Sequence, residues 1–221
     1  MGEITGDYLW HMEDVLHHYH LPYDPRHPLL CFDERPCFLI ADRGGLVPMS
    51  PGKAKRYHYE YQKNGSCWVL LAFEPQTGFR YGEVRDRRTA VDYADFMQTL
   101  LARHYPKVES IRLVQDNLNT HTPGSFYEVL PAAEAFALAQ RFAPHYTPKK
   151  GSWLNMAEIE FAALSTQCLD RRIPEVERLR REVIAWADQR NRAKKTVQWK
   201  FAQPAARTTL HRHYENVQKF T

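Results

Sequence analysis

The chain has 221 residues, 43% of them hydrophobic and 13% aromatic, with a formal net charge of +4. That composition can bury a sizeable core in one large domain or one domain with extensions, and it excludes a disordered chain. No apolar run approaches the roughly 18 to 20 residues of a membrane helix, and the start lacks a secretory signal's basic and apolar stretches, so a cytoplasmic protein with no membrane partner is expected. The charge is unevenly spread: residues 171–221 hold 13 Lys and Arg against 5 Asp and Glu. Such asymmetry hints at a polyanionic partner, with a solvated helix face as the plain alternative. The four cysteines, Cys31, Cys37, Cys67 and Cys168, include no Cys-x-x-Cys pair. They read as free thiols in a reducing compartment rather than a structural zinc site.

In chain order, Leu9, Met12, Val15, Leu16 and Tyr19 are spaced for a short amphipathic helix over Tyr8 to Tyr19. Four histidines sit there, His11, His17, His18 and His20. No cysteine or acid is matched to His17 and His20, so solvent-exposed imidazoles are expected rather than a metal site. Residues 22–28, with three prolines, form a rigid connector. Leu29 to Glu34 is an apolar run of strand length that ends in two carboxylates before Arg35-Pro36. Residues 42–55, with Lys53 and Lys55, read as a basic surface loop. Tyr57, Tyr59 and Tyr61 alternate as strand packing, with base stacking as the rival role. Asn64-Gly65 signals a hairpin turn, Cys67 to Phe73 the next strand, and Phe79 to Val84 a third after the turn at Pro75 to Gly78. Arg85-Asp86-Arg87-Arg88 is either surface charge or a phosphate-tracking cluster.

Thr89, with Asp92 in the first turn, caps a helix running to Tyr105. Ile111 to Val114 is a strand that stops at Asp116-Asn117. Polar residues lead from there to the turn at Pro123-Gly124. Helix follows over Glu134 to Phe142, then a short strand, His145 to Pro148. Ser152 opens a long helix with Trp153, read as core, and with Glu158 and Glu160. Pro174 separates a last helix from Glu175 to about Lys195.

Strands alternating with helices give an α/β sheet, in which ligands gather beyond the carboxyl ends of strands. Asp33 and Asp116 stand at two such ends, and a carboxylate from the long helix can face them. Converging carboxylates repel unless cations neutralise them, and oxygen donors suit Mg2+ or Mn2+. Two such ions serve phosphodiester displacement.

Three motifs carry a likeness: Phe-Asp-Glu-Arg-Pro at 32–36, Gln-Asp-Asn-Leu-Asn-Thr-His at 115–121, and Tyr-Thr-Pro-Lys-Lys-Gly-Ser-Trp-Leu-Asn-Met-Ala-Glu-Ile-Glu-Phe at 146–161. They resemble the catalytic domain of DDE transposases, most closely the insertion sequence 630 group of the mariner superfamily. The resemblance implies a ribonuclease-H-like fold, a mixed five-stranded sheet flanked by helices. It implies DNA cleavage and strand transfer with two divalent ions, Mg2+ or Mn2+. It places the catalytic, metal-holding acids at Asp33, Asp116 and Glu158. Glu160 is the competitor for the third place, but two positions apart on a helix only one of the pair can face the metals. His121 and Asn117 are candidates to orient water or phosphate, with polar loop packing as the alternative.

The implied partners are DNA, as transposon ends and target, with a homodimer as a candidate assembly on the bacterial nucleoid. The expected organisation is a linker helix and connector over 1–28, the core over 29–173, and a basic helical extension over 174–221. Family members carry a helix-turn-helix region for end recognition, and no such helix pair fits residues 1–28. The rival readings are a non-catalytic DNA-binding or assembly partner of a full-length transposase, and another nuclease of the same fold.

Overall fold

In the computed structural model, which describes residues 4–43 and 60–218, Thr5 caps the first helix, its hydroxyl accepting from the amide of Tyr8 at 3.2 Å. The expected loop over 42–55 lies outside those residues apart from Asp42 and Arg43, as do Tyr57 and Tyr59. Helix α1 is Gly6–Tyr19, followed by strands β1 (Leu29–Asp42), β2 (Tyr61–Glu74) and β3 (Phe79–Arg85), helix α2 (Ala90–His104) and strand β4 (Ile111–Gln115). A 3-10 turn, Pro123–Glu128, precedes α3 (Ala132–Ala139) and β5 (Phe142–Tyr146). A second, Ser152–Leu154, precedes α4 (Ala157–Gln167), after which come α5 (Val176–Arg192), α6 (Gln203–Thr209) and α7 (His211–Val217). Helix α2 begins as expected, with a reciprocal capping box between Thr89 and Asp92.

The strands form one mixed sheet in the order β3-β2-β1-β4-β5. β1, β2 and β3 are an antiparallel meander; β4 runs parallel to β1, and β5 parallel to β4. β1 departs from the sequence reading: it does not stop after Glu34 but continues to Asp42. Its pairing with β4 covers only Leu29 to Cys31. Beyond that, among the described residues, β1 has a strand neighbour on one side only, and Pro36 is tolerated there as on an edge strand. Asp33 is therefore mid-strand, just past the point where the parallel neighbour ends. Asn64-Gly65 is likewise no hairpin turn. β2 runs through it, and the register against β1 slips between Leu39 and Ile40, with Gly65 at φ +132°. The pair makes a β-bulge, the other structure that glycine in this backbone region permits.

Strand alternation divides the core. Leu30, Phe32, Leu70, Ala72 and Leu113 face α2 and α3. On the opposite face, Val69, Leu71 and Val84 meet α4 and α5, whereas Leu29, Cys31, Phe73 and Val114 meet α1, Leu154 and Ala206 of α6. Each large side chain buried this way contributes roughly 1.5–3 kcal/mol. The four cysteines are free and buried among these residues. Among the described residues, no helix is long and apolar enough to cross a membrane.

Candidate active site

Asp33 shares its face of β1 with Cys31, towards α1 and α4, whereas Phe32 and Glu34 point to the other side of the sheet. Its Oδ1 accepts from the amide of Glu34 at 2.8 Å, and the side-chain nitrogen of Asn155 lies 3.5 Å from Oδ2. Burial is the main cause that pushes the Asp33 carboxyl up, to about 7, and the Glu34 amide pulls the other way. The charges of Glu158, Asp116 and Glu34 add to the rise. The residues expected to converge thus do bear on one another electrostatically, from β1, the end of β4 and the first turn of α4.

Asp116 follows the last residue of β4 and is half-buried. His121, fully buried, donates through Nδ1 to Asp116 Oδ1 in a short bond, and its Nε2 lies 2.6 Å from Glu34 Oε2. The imidazole stacks on Tyr93, centroids 5.0 Å apart, and meets Phe32 edge-on at 5.3 Å. Burial by itself lowers the His121 pKa, but hydrogen bonds and charges from Asp116 and Glu34 overcome it and push it up to about 9. Below that value His121 is an imidazolium clamped between two carboxylates. Gln115 holds the same loop, donating to the His121 carbonyl at 2.8 Å while accepting from Tyr93 Oη at 2.9 Å. His121 was visible in the sequence as a candidate, but its tie to Glu34 was not. Only the pleat, which turns Glu34 away from Asp33, brings it there.

Glu158 is exposed in the first turn of α4, while Glu160 is fully buried. Glu160 pairs with Arg80, whose Nη2 donates at 2.9 Å, and with Arg190, whose Nη2 and Nε donate at 2.9 and 3.0 Å. It is committed to the opposite side of the helix. The start of α4 is set by Asn155 rather than by Ser152. Asn155 donates to the carbonyl of Phe32 at 2.8 Å, and its Oδ1 accepts from the amide of Ala157 at 3.1 Å. One carboxamide thus ties β1 at Asp33 to the first turn that carries Glu158. Tyr19 flanks it, donating to the carbonyl of Leu154 at 2.6 Å and accepting from the amide of Met156 at 3.3 Å. Trp153, expected in the core, is instead 48% exposed and stacks on Trp199.

Of the histidines of α1, His17 and His20 are exposed as expected, whereas His18 is not. His18 is largely buried, its ring centroid 3.5 Å from that of His145 on β5; its Nδ1 donates to the main-chain carbonyl of Asp14 at 2.9 Å, and His145 Nδ1 lies 2.8 Å from the Asp14 carboxylate. The sequence offered no such group, because His145 lies too far along the chain to be linked to His18 by pattern. Among the described residues, Asp14, His18 and His145 are the one acid–histidine group whose ligand atoms all lie within 4.8 Å of one another.

The chain belongs to the family of DDE superfamily endonucleases, whose pattern it matches over residues 28–180. Its fold is that of the ribonuclease-H-like catalytic domain in solved structures of the mariner transposase Mos1. One is the Mos1 strand transfer complex, with a TM-score of 0.59, 14% identity, and 100% of this chain and 64% of that one covered. Another is the Mos1 mariner paired end complex with Mn, with a TM-score of 0.58 and 14% identity over 97% of this chain and 63% of that one. A third, the Mos1 paired-end complex with left transposon end, has a TM-score of 0.58 and 14% identity, and covers 99% of this chain and 65% of that one. The chain thus spans under two thirds of the Mos1 chains it resembles. No curated protein sequence matches it.

Proposed function

We propose that the chain carries the catalytic activity of a DDE transposase of the insertion sequence 630 group, cleaving and joining DNA strands at transposon ends. Asp33, Asp116 and Glu158 are its carboxylates. The observation that carries this reading is a half-buried Asp33 tied through Asn155 to the helix turn of Glu158, on the strand beside the one that leads into Asp116. Carboxylates held together against repulsion and burial fit hard divalent cations, which prefer oxygen donors. When bound there, Mg2+ or Mn2+ supplies activation of the attacking oxygen and neutralisation of charge on the leaving one.

The chain's own residues do the rest. Asp33 and Asp116 offer oxygens from adjacent strands, and Glu158 offers one from α4. Asn155 sets the distance between β1 and that helix turn. His121 and Glu34 hold the Asp116 carboxylate in one orientation, so less rotamer freedom is lost when a cation is taken up. Transposon ends and target DNA are the proposed partners, in the cytoplasm, with a pair of copies as the assembly. Support comes from the three motifs and from the likeness to Mos1, whose solved complexes include a transposon end.

Mg2+- or Mn2+-dependent nicking of supercoiled plasmid tests the proposal, with wild type beside Asp116→Asn. Nicking should fall at least about a hundredfold in the variant, since several kcal/mol of charge stabilisation are at stake. Equal nicking by a folded Asp116→Asn protein overturns the assignment.

A further inference from the structure

Asp14 and His18 are one helical turn apart on α1, so their side chains rise from the same face. His145 reaches them from β5, which is an edge strand of the sheet. His145 Nδ1 is 2.8 Å from Asp14 Oδ2, and His18 Nδ1 is 3.5 Å from Asp14 Oδ1. A tetrahedral Zn2+ ion with bonds of about 2.1 Å holds its ligand atoms about 3.4 Å apart. One ligand atom from each of the three residues lies within 4.8 Å of the other two, so small side-chain movements bring them to that spacing. The three side chains are 15–20% exposed, buried enough to be held in place and open enough for a fourth ligand from solvent.

His18 Nδ1 donates to the main-chain carbonyl of Asp14 at 2.9 Å. A carbonyl held on one ring nitrogen fixes the tautomer that leaves the other nitrogen for a metal.

We propose that Asp14, His18 and His145 form a second metal site, separate from the three carboxylates, which takes Zn2+ and fastens α1 to β5. Two imidazoles and one carboxylate select a borderline transition ion over Mg2+ or Mn2+. The site does not merge with the first: its ligands come from α1 and the edge strand β5, whereas the three carboxylates come from β1, the end of β4 and α4. Its role is structural. Tyr19 follows His18 directly and holds the main chain on both sides of Asn155. An ion that pins the last turn of α1 therefore steadies the entry to α4.

The test titrates ZnCl2 calorimetrically into the full chain, stripped of metal by chelator, in excess Mg2+ to fill the oxygen sites. One equivalent of Zn2+ should bind in wild type and equally in Asp116→Asn. His145→Gln and His18→Gln should each weaken it at least about a hundredfold, beyond the 10- to 100-fold typical of losing an outer partner. Co2+ in place of Zn2+ should give the visible absorption of a four-coordinate nitrogen–oxygen site in wild type, a readout that needs no variant to fold. The proposal is overturned if wild type takes no Zn2+ under excess Mg2+ or shows no such Co2+ band. It is equally overturned if a folded His145→Gln protein binds as tightly as wild type, or if Asp116→Asn abolishes binding.

Discussion

Asp33 is an acid whose pKa in the folded chain, about 7, lies above its ordinary 3.8. Its charged form is therefore disfavoured by the fold, and the resulting penalty has a definite pH window. It is absent below about pH 4, grows as pH rises, and is complete above about 7. Removing the charge should relieve it. Asp33→Asn should stabilise the metal-free chain at pH 8 by roughly 1–3 kcal/mol and leave it unchanged at pH 4. Urea denaturation at the two pH values checks this. Equal effects at both would mean that Asp33 is not strained by its surroundings. His121 follows the opposite sign: an imidazole raised to about 9 lends stability below its ordinary 6.5 and withdraws it as pH climbs through 9. Both residues were legible in the sequence as candidates, because each lies in one of the motifs at 32–36 and 115–121. Their electrostatic state was not, since it depends on burial and on neighbours from other elements.

At the scale of elements, the junction of α4, α5 and β3 is held by charge. Arg80 and Glu160 are completely buried, Arg190 closes the group, and the Arg80 guanidinium lies over the Phe73 ring at 4.7 Å. Burial alone raises the Glu160 carboxyl; the hydrogen bonds and charges of Arg80 and Arg190 outweigh it and hold the group below its usual value. Its stabilising contribution is thus present above its ordinary pKa near 4.5 and is lost as pH falls through the lower folded value. Glu160→Gln leaves two guanidinium groups without their counter-charge and should cost about 3–5 kcal/mol at neutral pH. A measured loss under about 1 kcal/mol, the size of an exposed pair, would contradict this account. The substitution also separates the two helix acids, because Glu158→Gln at an exposed position should leave stability intact.

Local signals located most elements, including α2 by its capping box. They misplaced β1 and the Asn64-Gly65 bulge. Proline and Asn-Gly are compatible with two outcomes each, and only the neighbouring strand chooses between them.

Across the whole molecule, the carboxyl-terminal stretch reaches back to the first helix. Glu13 on α1 accepts from Arg207 and Tyr214, Gln203 donates to the Glu13 carbonyl at 3.1 Å, and Ala206 is fully buried. Deleting residues 198–221 should lower stability by at least about 2 kcal/mol, the worth of one or two uncovered side chains. An unchanged urea midpoint would show the stretch to be separable from the core. The charge asymmetry also takes a different meaning in three dimensions. Arg171, Arg172, Arg180, Arg190 and Arg207 all pair with carboxylates, so much of the positive charge counted along the chain serves the fold.

By itself, the sequence determined the α/β class and most helix positions, and the likeness of its three motifs named three candidate acids. Apolar periodicity and strand-end polarity are local properties, readable over a few residues. The tertiary structure alone decided what those residues face. It turned Glu160 into a buried counter-ion, Glu34 into a partner of His121, and a helix histidine into half of a pair with His145. These outcomes follow from contacts between residues 30 to 131 positions apart. Sheet order and pleat direction govern such contacts, and no local pattern carries them.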